Sequence, residues 1–107
     1  MKYSVKLTDT AKQDLREIAI WIAQKSKDIE VAKKYVQELR VECKTLASLP
    51  DRGAFPKDRI LRSAGYRYIV HEEYLIFYSI DNEQHSVHIM AIFNAKKDYF
   101  RVMRKYV

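Results

Sequence analysis

Six side chains in the second half of this sequence are of types that hold phosphate or move protons: Arg62, Arg67, His71, Tyr78, Lys96 and Lys97. A guanidinium can fork onto two phosphate oxygens, which makes Arg67 the leading cation, with Arg62, Lys96 and Lys97 to assist. His71 is the candidate acid or base, because an imidazole titrates near ~6.5. Tyr78 offers a ring on which a base could stack. Each residue also has a structural reading. Arg67 can pair with Glu72 or Glu73 across a hairpin, for ~0–1 kcal/mol. His71 falls at a turn, where a histidine is ordinarily solvated. Tyr78 shares a strand face with Tyr74 and Ile76, a setting more often of core than of ligand contact. Lys96 and Lys97 open a helical stretch and fit a solvated face. Glu72 and Glu73 are adjacent, too local to work as an acid/base pair.

Other chemistries find little support. His71, His85 and His88 do not have the spacing of a zinc site, and no metal or other cofactor is expected. Cys43 lies on an apolar helical stripe and reads as a small core residue. Glycine-rich phosphate loops and nucleophile elbows are absent.

The elements that must position these residues follow from periodicity. Tyr68–His71, Tyr74–Ile80 and Val87–Phe93 are β-branched and aromatic runs separated by polar turns, the pattern of an antiparallel meander. Along the middle run, Tyr74, Ile76, Tyr78 and Ile80 face one way while Leu75, Phe77 and Ser79 face the other, so a central strand is expected. Upstream, Tyr3, Val5 and Leu7 alternate as a short opening strand. Thr8 can cap a helix whose stripe is Ala11, Leu15, Ile18, Ala19 and Ile22. A second helix starts between Asp28 and Val31, carries Ala32, Val36, Leu39, Cys43 and Leu46, and stops at Pro50. Trp21 and Tyr35 lie just off these stripes and are placed at the hairpin edge. Pro50–Gly53 is a turn, 54–59 an irregular loop, and Asn94 a cap for a helix from Lys96 to about Lys105. The expected fold is α+β, in the order β-α-α-β-β-β with a short C-terminal helix. An antiparallel sheet carries the N-terminal helical hairpin on one face. Residues 1–107 are read as one domain.

The charge balance, 20 basic against 14 acidic residues for a net +6 and a pI near 9.4, favours anionic partners without choosing between nucleic acid and acidic protein. Both halves of the chain are basic, so there is no basic tail. One cysteine excludes an internal disulfide and fits a reducing compartment. With no run of ~18 apolar residues, no membrane association is expected and a cytoplasmic setting is read.

In order and spacing, several stretches together resemble the RelE/ParE superfamily of bacterial type II toxins. These are the opening strand with Thr8–Leu15, the hairpin ending Leu49-Pro50-Asp51-Arg52-Gly53, Leu61-Arg62-Ser63-Ala64-Gly65-Tyr66-Arg67, Tyr74–Tyr78, and Ile92-Phe93 with Lys96-Lys97-Asp98. The resemblance implies a toxin held inactive by a cognate antitoxin, which would bring an acidic amphipathic segment. It also implies one of two targets. A ParE-like chain poisons DNA gyrase, has no established catalytic constellation, and would not itself be an enzyme. A RelE-like chain is a metal-independent endoribonuclease that cleaves mRNA on the ribosome, with Arg67, His71, Arg62, Tyr78, Lys96 and Lys97 as its candidate catalytic set. The long helix pair with Trp21 and the Met90–Asp98 ending resemble ParE. Only Lys57, Arg59 and Arg62, interrupted by Asp58, precede the Arg67 strand, fewer cations than a RelE-like ribonuclease brings. The ParE-like branch is therefore preferred. Contacts with target or antitoxin are expected from Arg62, Arg67, Lys96, Lys97, Arg101 and Trp21.

Overall fold

A computed structural model describes residues 2–107. Its elements are β1 (Ser4–Leu7), α1 (Asp9–Ser26), α2 (Ile29–Lys44), α3 (Arg59–Ser63), β2 (Arg67–His71), β3 (Tyr74–Asp81), β4 (Ser86–Asn94) and α4 (Tyr99–Met103). The four strands form one sheet in the order β1-β4-β3-β2. Strands β2, β3 and β4 are the expected antiparallel meander. The opening strand instead joins β4 in parallel, Val5 opposite Val87 and Leu7 opposite Ile89, so the sheet is mixed.

Local chemistry sets the helix boundaries. The Thr8 hydroxyl accepts from the Ala11 N–H and also donates to the Ile89 carbonyl, fastening the start of α1 to β4. Lys27 takes the left-handed conformation between the helices, and Asp28 caps α2 through the Glu30 N–H. α2 ends at Lys44 rather than running to Leu49. From Thr45 the chain tightens into a 3₁₀ turn, and the Thr45 hydroxyl bonds back to the Glu42 carbonyl at 2.6 Å.

Leu15, Ile18, Leu39, Cys43 and Leu46 bury against Ile69, Tyr74, Ile76, Tyr78, Val87, Ile89 and Ile92 on one sheet face. Ile22 and Val36, also expected in this core, are half-buried at its edge. The opposite face, where Leu75 and Phe77 point, is closed by Leu61 of α3 and Met103 of α4 together with Tyr66, Ala91 and Phe93. A bulge lets β4 serve both cores. Phe77 lies opposite Ala91 but Tyr78 opposite Ile89, so Met90 is the extra residue. Val87 and Ile89 thus face the helical hairpin, while Ala91 and Phe93 face α3 and α4.

Two expectations for the connections are revised. The stretch from Arg59 is the short helix α3, capped by Asp58 through the Leu61 N–H. Gly65, at φ +90°, stops that helix and turns the chain into β2. At the C-terminus the helical cap is Asp98, accepting from the Phe100 N–H, while Asn94 bonds the Lys96 N–H in the preceding turn.

Candidate functional site

Arg67 opens β2 on the face that also carries Ile69 and His71, and its guanidinium is turned inward. Its Nη1 donates to the carbonyls of Asp51 at 3.1 Å and Gly53 at 3.2 Å, and Nη2 lies 3.7 Å from the Asp51 carboxylate. The plane rests 4.1 Å from the centre of the Phe55 ring, and the side chain is 20% exposed. The expected partners Glu72 and Glu73 sit at the other end of β2, beyond its reach. Opposite Arg67 in register is Tyr78.

Tyr78 is fully buried. Its hydroxyl donates to the Pro50 carbonyl at 2.6 Å and accepts from the Gly53 N–H at 3.0 Å. Burial pushes the phenol pKa up, which keeps it a donor at neutral pH. The Pro50–Gly53 turn is therefore gripped twice, by Tyr78 from the core and by Arg67 from the strand edge.

His71, at the far end of β2, is not a solvated turn residue. Its Nδ1 lies 3.0 Å from Glu42 Oε1 on α2, and its ring meets Tyr35 edge-on. The hydrogen bond to His71, followed by the Arg52 guanidinium, holds the Glu42 carboxyl below its ordinary value. Arg52 donates to Glu42 at 2.8 Å and to the Thr45 hydroxyl at 2.6 Å. His71 Nε2 is buried, with no hydrogen-bond partner among the described residues. Four residues at ~3.3 Å each separate Arg67 from His71 by about 13 Å along the strand.

Lys96 and Lys97 are exposed beyond β4, whose Asn94 pairs with Tyr74 at the His71 end of β3. Arg62, exposed at the end of α3, lies 5.9 Å from the same Phe55 ring that Arg67 covers. The structure thus brings Arg62 and Arg67 together around Phe55, and leaves His71, Lys96 and Lys97 apart from them.

A groove of about 440 Å³ lies elsewhere, between α1, the end of β4 and α4. Its floor includes Ile18, Tyr74, Ile92, Phe93 and Val102, and Trp21 stands at its wall, 55% exposed. Trp21 does not close the helical hairpin. It borders this groove, with the Lys25 ammonium 5.1 Å over its ring. Asp14 and Glu17 line one side, Lys97, Lys105 and Tyr106 another. The parallel pairing of β1 stops at Leu7 opposite Ile89, so β4 beyond that point has no strand neighbour on this side. The Asp14 carboxylate accepts the Ile92 N–H there at 2.9 Å. Burial, before any other cause, holds the Asp14 carboxyl above its ordinary value. Arg101 is exposed on α4 and does not line the groove. Cys43 is buried, with its thiol pushed up to about 12 by that burial.

Two features escaped the sequence reading, the exposed Phe55 and the groove itself. An isolated Phe in a loop carries no periodic signal. The groove depends on where β1 stops, which only the pairing reveals.

Comparison with known proteins places this geometry. A family model described as the ParE toxin of the type II toxin–antitoxin system parDE matches residues 5–99. The fold is similar to a structure of a chromosomal ParDE toxin–antitoxin system from P. aeruginosa, with 22% identity over 89% of this chain and 98% of that one, and a TM-score of 0.73. The RelBE2 toxin–antitoxin complex from Mycobacterium tuberculosis is similar at 25% identity, 88% and 99% coverage, and a TM-score of 0.61. A mutant of the E. coli RelE toxin in the free state aligns over 100% of both chains, with 12% identity and a TM-score of 0.66. No curated protein sequence matches the chain.

Proposed function

This chain belongs to the ParE toxin family of type II toxin–antitoxin systems, and from that premise we propose that it arrests growth by binding DNA gyrase and does no chemistry of its own. The observation that carries this reading is the scatter of the reactive side chains. Cleaving RNA without a metal requires a base, an acid and charge-stabilising cations around one phosphate. Here Arg67 donates through Nη1 to two backbone carbonyls, and Tyr78 is enclosed in the core. His71 is bound to Glu42 about 13 Å along the strand. A protein inhibitor needs none of these to converge; it needs a rigid surface of the right shape and charge.

The second partner is an antitoxin, a reading supported by the toxin–antitoxin systems among the similar structures. The Trp21 groove suits an amphipathic segment, its apolar side chains against Trp21, Ile18 and Val102 and its carboxylates toward Lys97 and Lys105. Attraction to a basic domain speeds the encounter, and the apolar floor slows release.

The test uses purified toxin on gyrase supercoiling beside primer extension on a translated message. Loss of supercoiling with intact message is expected. Codon-phased cuts with gyrase untouched would overturn the reading. For the antitoxin, Trp21→Ala should weaken binding by ~30-fold or more, as loss of a buried aromatic anchor does. Unchanged affinity would move the antitoxin to another surface.

A further inference from the structure

We propose that Phe55, propped outward by Arg67, is the anchor by which this toxin grips its target protein, on a surface separate from the antitoxin groove. The inference rests on the reading that the target is a protein, and it assigns the residues that meet it.

Phe55 is 48% exposed, yet the chain on either side of it is fixed. Ala54 exchanges both backbone hydrogen bonds with Tyr68, each at 2.9 Å, so the segment lies along the outer edge of β2. Gly53 and Pro56 are buried. The Arg67 guanidinium, held by the Asp51 and Gly53 carbonyls, lies 4.1 Å from the ring centre. A large aromatic in water on an immobile backbone has already lost the freedom that binding would otherwise take from it. Aromatic rings flanked by arginine are also the composition in which binding energy concentrates.

The surroundings define the partner. Ile60 on α3 is 55% exposed, a second apolar side chain turned to solvent in this region. Arg62 lies beside the ring, and Lys57 and Arg59 are exposed in the same segment. The complement is an apolar cleft rimmed by carboxylates on the target protein. Nucleic acid fits less well. Arg67 already covers one face of the ring, and a phosphate would meet the exposed Asp51 carboxylate 3.7 Å from that guanidinium. Neither Phe55, Arg62 nor Arg67 lines the Trp21 groove. The Phe55 segment lies on the outer edge of β2, whereas the groove follows the end of β4, two strands across the sheet.

The experiment compares wild type, Phe55→Ala, Phe55→Tyr, Arg62→Glu and a distant control, Ile29→Ala, at an exposed position that starts α2. Each is induced in cells, tested for capture by the antitoxin, and titrated against gyrase holoenzyme and a translated message. Thermal melts confirm that these surface changes leave the fold intact. Phe55→Ala and Arg62→Glu should lose growth arrest and inhibit gyrase at least about tenfold less well, with antitoxin capture unchanged. Ile29→Ala should behave as wild type, and Phe55→Tyr, which keeps the ring but adds a hydroxyl, should fall between wild type and Phe55→Ala. If Phe55→Ala and Arg62→Glu arrest growth like wild type, the anchor is elsewhere, whatever the target. Loss of antitoxin capture along with toxicity would assign the patch to the antitoxin and overturn the proposal. Message cutting by wild type, abolished by Phe55→Ala, would make the partner RNA and overturn it too. Wild type that arrests growth while sparing both gyrase and message would remove gyrase as target. The loss of arrest in the variants would then still support the anchor.

Discussion

Gly53 tests the turn on which both Arg67 and Phe55 depend. Its φ of −73° and ψ of 154° are open to any residue, so the constraint is space. A Cβ at this position would collide with the Tyr78 hydroxyl, and would come within 2.8 Å of Tyr78 Cε1 and 2.9 Å of the Tyr68 carbonyl. Tyr78 is enclosed in the central strand and cannot retreat cheaply. Gly53→Ala should therefore cost ~1–3 kcal/mol for overpacking. Displacing the ring also weakens the bonds to Pro50 and Gly53, for a further ~1–2 kcal/mol. Tyr78→Phe alone leaves a carbonyl and an N–H without their partner, at about 2–4 kcal/mol together. It also removes the atom that the added methyl group would strike hardest, so the double variant should cost ~1–2 kcal/mol less than the sum of the singles. Urea unfolding of the four proteins at neutral pH measures this coupling. Additivity within ~0.5 kcal/mol would show that Tyr78 does not pin the turn. A Gly53→Ala chain as stable as wild type would refute the close packing itself.

Two further predictions concern half-buried carboxyl groups whose pKa values are shifted in opposite directions. The folded Asp14 pKa is raised, chiefly by burial, so its contribution falls as pH rises through that value. Asp14→Asn keeps an acceptor for the Ile92 N–H without the charge, and should match or exceed wild-type stability at neutral pH, where Asp14→Ala should fall below it; an Asn variant less stable than Ala would reject this account. The folded Glu42 pKa is lowered, chiefly by the hydrogen bond to His71, so its contribution is present above the ordinary glutamate range and is lost as pH falls through the folded value. Melts between ~pH 6 and ~pH 2 should show an acid limb that Glu42→Gln flattens, and an unchanged limb would mean that Glu42 is not part of it.

What the sequence revealed was local. Thr8 and Asp28 announce their helices because a capping oxygen acts within three residues. The two faces of β3 follow from strict alternation between Tyr74 and Ile80. What stayed hidden was set by contacts distant in sequence. The bulge at Met90 reverses which residues of β4 face the helices, and nothing in Val87–Phe93 marks it. The structural reading of Arg67 pairs it with Glu72 or Glu73, its nearest acids along the hairpin. Register puts those residues at the wrong end of the strand and brings the Pro50–Gly53 turn into reach instead. His71 likewise looked free because Glu42 lies 29 positions earlier.

The same turn is held by two of the residues first suspected of chemistry. Tyr78 holds it from the core and Arg67 from the sheet edge. Arg52, which belongs to it, reaches the Glu42–His71 pair on the helical hairpin. An arginine whose Nη1 donates to two backbone carbonyls, with Nη2 beside the Asp51 carboxylate, is well placed to fix a loop. Charge-assisted bonds of this kind are roughly twice as strong as neutral ones. In this fold, then, what Arg67 can do depends on what occupies positions 51–53. With Asp51 beside it and a glycine at 53 packed onto Tyr78, the guanidinium is a strut. The surface it supports is the one proposed above to meet the target protein.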